Sequence, residues 1–424
     1  MNIPLPELIE ITQSYPASAQ LDFHAILAEQ FDIEGLRGRI SPGMRIAVGV
    51  GSRGIANLKE IVQAALRVLI AAGAQPFVIP AMGSHGGATA EGQKQVLAEY
   101  GITEESIGVP IEASMDVEKI GTVFDGRDVV LSVPALRADG IVAINRVKPH
   151  TDFRGTLGSG IQKMLTIGFG KQVGAANMHR AAAHVGHEIA IHETAKVILR
   201  SVRVLCGIAI LEDQHHQTAQ LKVLRPDAIL DEEPVLLERA RSLMPRLPLD
   251  EIDLLIVDQI GKEISGTGMD TNIIGRDIAG YSTSLRNSNG LTPHIARIFV
   301  RELSHATNGN GIGIGLADFT TDRAVKALDL RYMYINATTS IGLHPAKIPI
   351  HFATDREVID EALGTLAAPD PETIRIVRIV NTLSLERILV SACYASMLEK
   401  RPGVTIGGRA HAMQFDAAGN LLPF

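Results

Sequence analysis

Lys148, His150, Lys163, Lys171 and His179 fall within one stretch, KPHTDFRGTLGSGIQKMLTIGFGKQVGAANMHR. A lysine can act as a nucleophile or hold a phosphate. A histidine can move a proton near neutral pH or bind a metal. The glycines between them let backbone N–H groups come close to a ligand. A segment this dense in reactive groups is the expected active site. Lys163 follows GTLGSGIQ and precedes the apolar MLTIG, so partial desolvation favours its neutral, reactive amine. That suits covalent attachment of a cofactor or a phosphate contact, with Lys171 as the second choice. The spacing is not that of GxxxxGK[ST], so this is not a nucleotide-triphosphate loop.

Other candidates stand on other loops. His85 in GSHGG has small neighbours that leave it uncovered, which suits general acid–base work. His150 is a second acid–base candidate, on a turn that Pro149 stiffens. Arg53 in GSRG lies between a strand end and a helix start, where a phosphate or carboxylate is well held; Ser52 and Gly54 flank it. Lys148 and Arg154 could bind an anion or pair with Asp152. His179 stands at a loop–helix junction. His184 and His187 lie one helical turn apart, a metal spacing without the carboxylate and third histidine of a zinc motif. Further on, IGKEISGTGMDTNIIGR offers Lys262, Ser265, Thr267, Asp270 and Arg276, of which Lys262 and Arg276 could hold a substrate carboxylate. His215-His216 read as a polar turn, and Cys206 and Cys393 as structural thiols among apolar residues.

These groups need elements to hold them. The chain has 424 residues, 46% hydrophobic and 21% charged, enough for two or three globular domains. Forty glycines and no tryptophan suggest α/β layers joined by tight loops. A net charge of −7 without a basic run argues against a nucleic-acid binder. There is no apolar run of about 20 residues for a membrane span and no signal-peptide pattern at the N-terminus, so the expected compartment is the cytoplasm. Two cysteines build no disulfide framework. MRIAVGV (44–50) reads as a buried strand, 57–72 as a helix with an Asn57/Glu60 capping box, and 75–80 as the next strand. Strands are expected at 140–145 and 204–210 with a helix over 181–199 between them. The prolines of SLMPRLPL mark a boundary, after which strands are expected at 252–258, 296–300, 311–317, 333–336 and 374–379. The first forty or so residues read as an irregular arm with one helix, and 410–424 as a hairpin turning at Ala418-Gly419.

The expected fold class is α/β: two α/β domains with largely parallel sheets and an active site in the interdomain cleft. Residues 1–248 form the domain of the cofactor and the acid–base histidines, 249–395 the second domain, and 396–424 a tail packing back on the first. GSRG, GSHGG, KPHTDFRG and IGKEISGTG each follow an expected strand, and open parallel sheets bind ligands beyond such strand ends.

Together these residues resemble the lactate racemase family, the nickel-pincer nucleotide enzymes that racemise or epimerise 2-hydroxy acids. The resemblance covers most of the chain: GSRGIANL, GSHGG, KPH and the sixteen-residue step from Lys163 to His179 come in the family's order. It implies His85 and His150 as acid and base, and Lys163 as the residue joined to the cofactor through a thioamide. It implies His179 as the nickel ligand and Arg53 as the arginine of the first strand-end loop. The implied cofactor is the pyridinium-3-thioamide-5-thiocarboxylate mononucleotide with nickel, covalently attached to Lys163. Ser52, Gly54 and Lys148 are its further expected contacts, and Arg53, Arg154, Lys262 and Arg276 those of the substrate. The implied partners are a small 2-hydroxy acid and the cofactor-making enzymes; a homo-oligomer is left open. The lactate-specific members carry an acidic residue before the first-loop arginine, whereas VGSRG has none, and the segment from His150 to Lys163 is slightly longer here. Both departures point to a homologue with another substrate. Two alternatives are a metal-dependent oxidoreductase or hydrolase built on His184 and His187, and a non-catalytic binder of a small anion.

Overall fold

The computed structural model describes residues 4–51, 54–124, 126–278, 292–340, 342–366 and 370–424. Ser52 and Arg53, both expected at the site, lie outside the described residues. In chain order the strands are β1 (Leu8–Gln13), β2 (Arg45–Val50), β3 (Gln75–Pro80), β4 (Val117–Val123), β5 (Arg127–Ser132), β6 (Gly140–Arg146), β7 (Val204–Glu212) and β8 (Thr218–Leu224). They continue as β9 (Glu251–Ile260), β10 (His294–Leu303), β11 (Phe319–Thr321), β12 (Ile350–Phe352), β13 (Ile376–Ile379), β14 (Arg387–Ser391) and β15 (Val404–His411).

The chain is α/β, with two largely parallel sheets, and divides into two compact units. One comprises 17–244, the other 1–16 with 245–424. In the first, the strand order is β3-β2-β6-β7-β8, parallel except for β8. Its central strands are apolar on both faces, as a parallel sheet covered on both sides requires. Ile46, Val48 and Val50 face the helix Leu58–Ala71, while Ala47, Ile79 and Ala143 face Ile161, Met164 and Phe169. β4 and β5 form a separate hairpin.

In the second unit the order is β12-β11-β10-β9-β13-β14-β1-β15. The strands β12 to β13 are parallel and the rest antiparallel. This corrects the expected domain plan. The N-terminal arm is not irregular but supplies β1, which pairs with β14 and β15, so residues 1–16 and the tail both belong with 245–424. A buried ionic network fixes the tail there. Asp258 accepts both arms of Arg378 at 2.9 Å and pairs with Arg301 at 3.0 Å. Asp355 accepts from Arg301, from Arg323 and from the Leu421 N–H, at 2.8, 2.5 and 2.9 Å. Arg301 and Arg378 donate in turn to the carbonyls of Leu421 and Leu422. The expected hairpin at the chain end is present, with an isolated Phe415–Leu421 bridge and Gly419 at φ 86°.

Other local expectations fail for physical reasons. The helix expected over 181–199 is two helices, Lys171–Val185 and His187–Ser201, parted at Gly186 (φ 85°, ψ 154°), a conformation suited to glycine. The segment 333–336 lies in the helix Leu330–Ser340, where Met333 and Ala337, one turn apart, are the buried positions. The segment 311–317 is a turn containing the short helix Ile314–Leu316, since Gly313 at φ 100° packs its Cα against Thr267 O. Asn57 does not cap; its Oδ1 accepts from the Thr218 hydroxyl at 3.1 Å, and its backbone is left-handed. No helix among the described residues is long and apolar enough to cross a membrane.

Asp355 is fully buried beneath two arginines. Asp355→Asn leaves Arg301 with Asp258 as its remaining counter-charge and takes from the half-buried Arg323 its close partner, so it is expected to destabilise this unit by about 3 kcal/mol, read by urea unfolding.

Candidate active site

In the five-stranded sheet, β2 is followed along the chain by β3 on one side and flanked by β6 on the other, so the β2/β6 crevice is the topological switch point where open sheets take ligands. The reactive segment is built over it. A Cβ on Gly51, after β2, would lie 3.1 Å from Asn145 Oδ1, and Asn145 at the end of β6 donates to Gly160 O at 2.8 Å. Two strand glycines let the next residues lie close on the sheet. A Cβ on Gly49 would come within 2.1 Å of the Phe169 ring, and one on Gly207 within 2.7 Å of Ile161. Lys163 sits between these anchors, at the end of the short helix Ile161–Lys163 and before the π-helical turn Met164–Gly168. Lys148 and Ser159 exchange backbone hydrogen bonds of 3.0 and 2.8 Å, which closes the loop 148–159 and brings His150 over Lys163.

Lys163 Nζ lies 2.5 Å from His150 Nε2. The Asp152 N–H donates to His150 Nδ1 at 3.0 Å, so the hydrogen of a neutral imidazole belongs on Nε2. In that tautomer the hydrogen bond forms with Lys163 as a neutral amine, whose lone pair accepts; the ammonium form, whose charge acts on His179 and His187, has no lone pair to offer. A neutral amine is the form that attacks an electrophilic carbon. On the other side, His150 stacks on Phe153 (centroids 4.5 Å), and Phe153 stacks on His187 (5.0 Å, 1° between planes). His179 meets His187 edge-on at 5.9 Å. Burial first, then the neighbouring His187 and Lys163, hold the His179 imidazole below the ordinary histidine range. Burial and Lys163 do the same to His187 against the pull of Asp152. Both rings are therefore neutral at pH 7, the state in which an imidazole ligates a metal.

The segment 147–187 thus brings together His150, Lys163 and His179 as its sequence suggests. His85 is half-buried on the neighbouring loop after β3, and that loop abuts the reactive segment through a Gly83 N–H to Gly168 O bond of 3.4 Å. Lys148 is half-buried, and Arg154 is exposed on the loop. Gly54 takes part through its backbone: its N–H donates to Tyr100 Oη at 3.1 Å, and its carbonyl accepts from Arg146, which is paired with Glu212. Lys171 is fully buried against Pro80 O, so it is no candidate for attaching a cofactor. The alternative pair His184 and His187 is not formed, because Gly186 parts the two helices, leaving His184 exposed while His187 turns inward. Among the described residues no group of three or more His, Cys, Asp or Glu could hold a metal.

In the other unit, Lys262 Nζ donates to Gly266 O (2.6 Å) and Asn336 Oδ1 (3.1 Å), at the exit of β9. Arg276 departs from expectation. It is buried, and its two arms engage the Asp318 carboxylate at 3.1 and 2.6 Å, with Leu316 O as a further acceptor. That bidentate face is already used within the fold.

Several members of the site were not read from the sequence. Phe153 forms the stack with His187, which the sequence offered only as a partner of His184. Gln162, fully buried, takes His192 Nδ1 at 3.1 Å on its Oε1. Glu233, buried on the helix Ile229–Leu243, accepts the Gln162 N–H at 2.9 Å and that of Ile161. Gly160 has to be glycine here, since a Cβ would fall 2.0 Å from the Glu233 carboxylate. The signal for Glu233 was present: it lies one turn from Ile229 and from Leu237 and so occupies the apolar stripe of its helix.

A family model described as a domain of unknown function, DUF362, matches residues 51–239. No curated protein matches the sequence. Among the solved structures that are similar to this chain are these two. One is the lactate racemase apoprotein from Thermoanaerobacterium thermosaccharolyticum, at 13% identity and a TM-score of 0.50, covering 89% of this chain and 99% of that one. The other is a protein from Thermotoga maritima, at 13% identity and 0.49, covering 85% and 97%. The first likeness shows a shared α/β fold.

Burial lifts the Glu233 carboxyl from the usual carboxylate range to about 7. The folded chain then binds this proton more tightly than the unfolded one, so stability falls as pH rises to about 7 and levels above it. Glu233→Gln removes the effect. Urea unfolding is expected to show wild type losing up to about 3 kcal/mol relative to that variant between about pH 4.5 and 7.

Proposed function

We propose that this chain is an isomerase, a racemase or epimerase that inverts the hydroxyl-bearing C2 of a small 2-hydroxy acid with a nickel-pincer nucleotide joined to Lys163. The observation that carries this reading is the continuous run Lys163–His150–Phe153–His187–His179 at the switch point of the sheet. A fold shared with a lactate racemase supports it. The donor set fits such a group. A single neutral imidazole at His179, with no cluster of protein ligands among the described residues, suits a metal whose other donors are organic. The amine of Lys163, beside His150, would suit condensation with a thiocarboxyl group to a thioamide, the C–N bond forming as the carbon gives up its oxygen as water.

When bound, the nickel-pincer nucleotide would accept the C2 hydride and return it. The chain's own share is proton transfer and positioning. With Lys163 joined to the cofactor its nitrogen would no longer accept from His150; with the imidazole hydrogen moved to Nδ1, which lies 4.0 Å from the Asp152 carboxylate, Nε2 would offer the lone pair that takes the hydroxyl proton of the substrate and returns it. His85, on the adjoining strand-end loop, is the second acid–base group. Arg53, Lys148 and Arg154 are the cations for the phosphate of the cofactor and the carboxylate of the substrate. The cofactor-making enzymes are the partners this chemistry requires.

The test uses chain co-produced with cofactor-making enzymes. Intact mass should show the adduct and elemental analysis nickel, and a screen of D- and L-2-hydroxy acids should find one whose optical rotation is lost. Lys163→Ala should abolish the adduct. His150→Asn should keep it while lowering kcat about 10²- to 10⁴-fold. An unmodified mass without nickel would sink the proposal. Because the His179 imidazole is held below the ordinary histidine range, nickel loss on acidification should set in only below that range, whereas His179→Ala should lack nickel at any pH.

A further inference from the structure

The buried Lys171 has no part in the chemistry proposed above, yet it is an expensive residue to place there. It is fully buried, and its backbone is left-handed at φ 56°, a conformation rarely adopted by residues other than glycine. A buried ammonium is costly unless its donors are met, and an apolar side chain of the same length would fill the space without that cost. Burial lowers its amine only to about 8, so it remains a cation at neutral pH.

Its partners explain the choice. Nζ donates to Pro80 O, the last carbonyl of β3, at 2.5 Å, and to Gln93 Oε1 at 2.9 Å. Gln93 is fully buried as well. An ammonium has donors only, so it fixes which end of the Gln93 amide faces it. The Nε2 end must then face the loop after β3, where it donates to Gly83 O at 2.9 Å and to His85 O at 3.4 Å. The loop is clamped from the same side by close backbone contact. A Cβ on Gly86 would meet Gly92 C at 2.4 Å, and one on Gly92 would meet Gly86 O at 1.9 Å. Lys171 also opens the helix Lys171–Val185, which carries His179. One amine therefore joins the exit of β3, the His85 loop and the His179 helix.

We propose that Lys171 is a positioning residue that sets the His85 loop, acting through the amide of Gln93. The importance of that loop rests on the acid–base reading of His85 given above; the link itself does not. Lys171→Met and Gln93→Leu are compared with wild type in the full chain without cofactor. The readout is the ring ¹³C–¹H NMR signal of His85, assigned with His85→Asn, and its pH titration. In both variants the His85 signal should shift or broaden and its titration midpoint should move. His215, on a distant turn, should keep its signal, and the melting temperature should stay within a few degrees. An unchanged His85 signal and titration in folded Lys171→Met would overturn the proposal. If that variant does not fold, Gln93→Leu decides, since it leaves the Lys171 contact with Pro80 in place. An unchanged His85 signal there would overturn the proposal equally. Full isomerase activity in His85→Asn would sink the acid–base reading and leave the NMR result standing.

Discussion

The site depends on one close approach. Phe169 can cover β2 only because Gly49 has no side chain, and Ile161 can enter against β7 only because Gly207 has none. Both glycines lie inside strands, where a missing side chain weakens the strand and calls for a reason. Here the reason is a reactive segment pressed onto the sheet at both ends. Ile161 and Phe169 carry the apolar burial, and Lys163 is held between them. The wide turn Met164–Gly168 absorbs the mismatch between the short helix before it and the long helix after it. A side chain at either glycine would lift the segment and move Lys163 away from His150.

Charge is handled differently on the two sides of that segment. Behind it lie Glu233 and Lys171, each fully or almost fully buried, each neutralised locally by backbone or amide dipoles and not by a counter-ion. In front lie His150, His187 and His179, and at His187 and His179 burial works against charge. Permanent polarity is thus placed where it fixes backbone, and neutral imidazoles where a ligand can be met. Holding Glu233 and Lys171 in a dry interior has a cost, which the apolar cores on both faces of the sheet must offset.

The division between what could and could not be read from the sequence follows the same line. Buried parallel strands are continuous apolar runs, so β2, β3, β6, β7 and β9 were legible, and with them the loops at their ends. The clustering of Lys163, His150 and His179 was legible because reactive side chains between glycines have little to do in folding. β1 was not, since its partners Arg387–Ser391 and Val404–His411 are remote in sequence and only the paired sheet makes it a strand. Arg276 was misread because an arginine on a glycine-rich loop looks the same whether its fork meets a ligand or Asp318. The supporting residues were hidden for a related reason. Gln93, Gln162 and Glu233 are common surface types, and only their place on the inward side of a helix marks them as buried.

Phe153 shows what such hidden residues add. Its ring lies nearly parallel to both His150 and His187, at 4.5 and 5.0 Å. Stacking holds imidazoles by their faces and leaves their nitrogens pointing along the ring edges. Metal ligation by several histidines needs the opposite, nitrogens converging on one point. An aromatic spacer therefore keeps His150 out of any shared coordination sphere with His187 and His179, and leaves its Nε2 committed to Lys163. In a bare cluster of three histidines and a lysine, a metal would compete with proton transfer for the same lone pairs. With Phe153 between them, the imidazole that meets the amine and the imidazole that can meet a metal hold separate roles within one short segment.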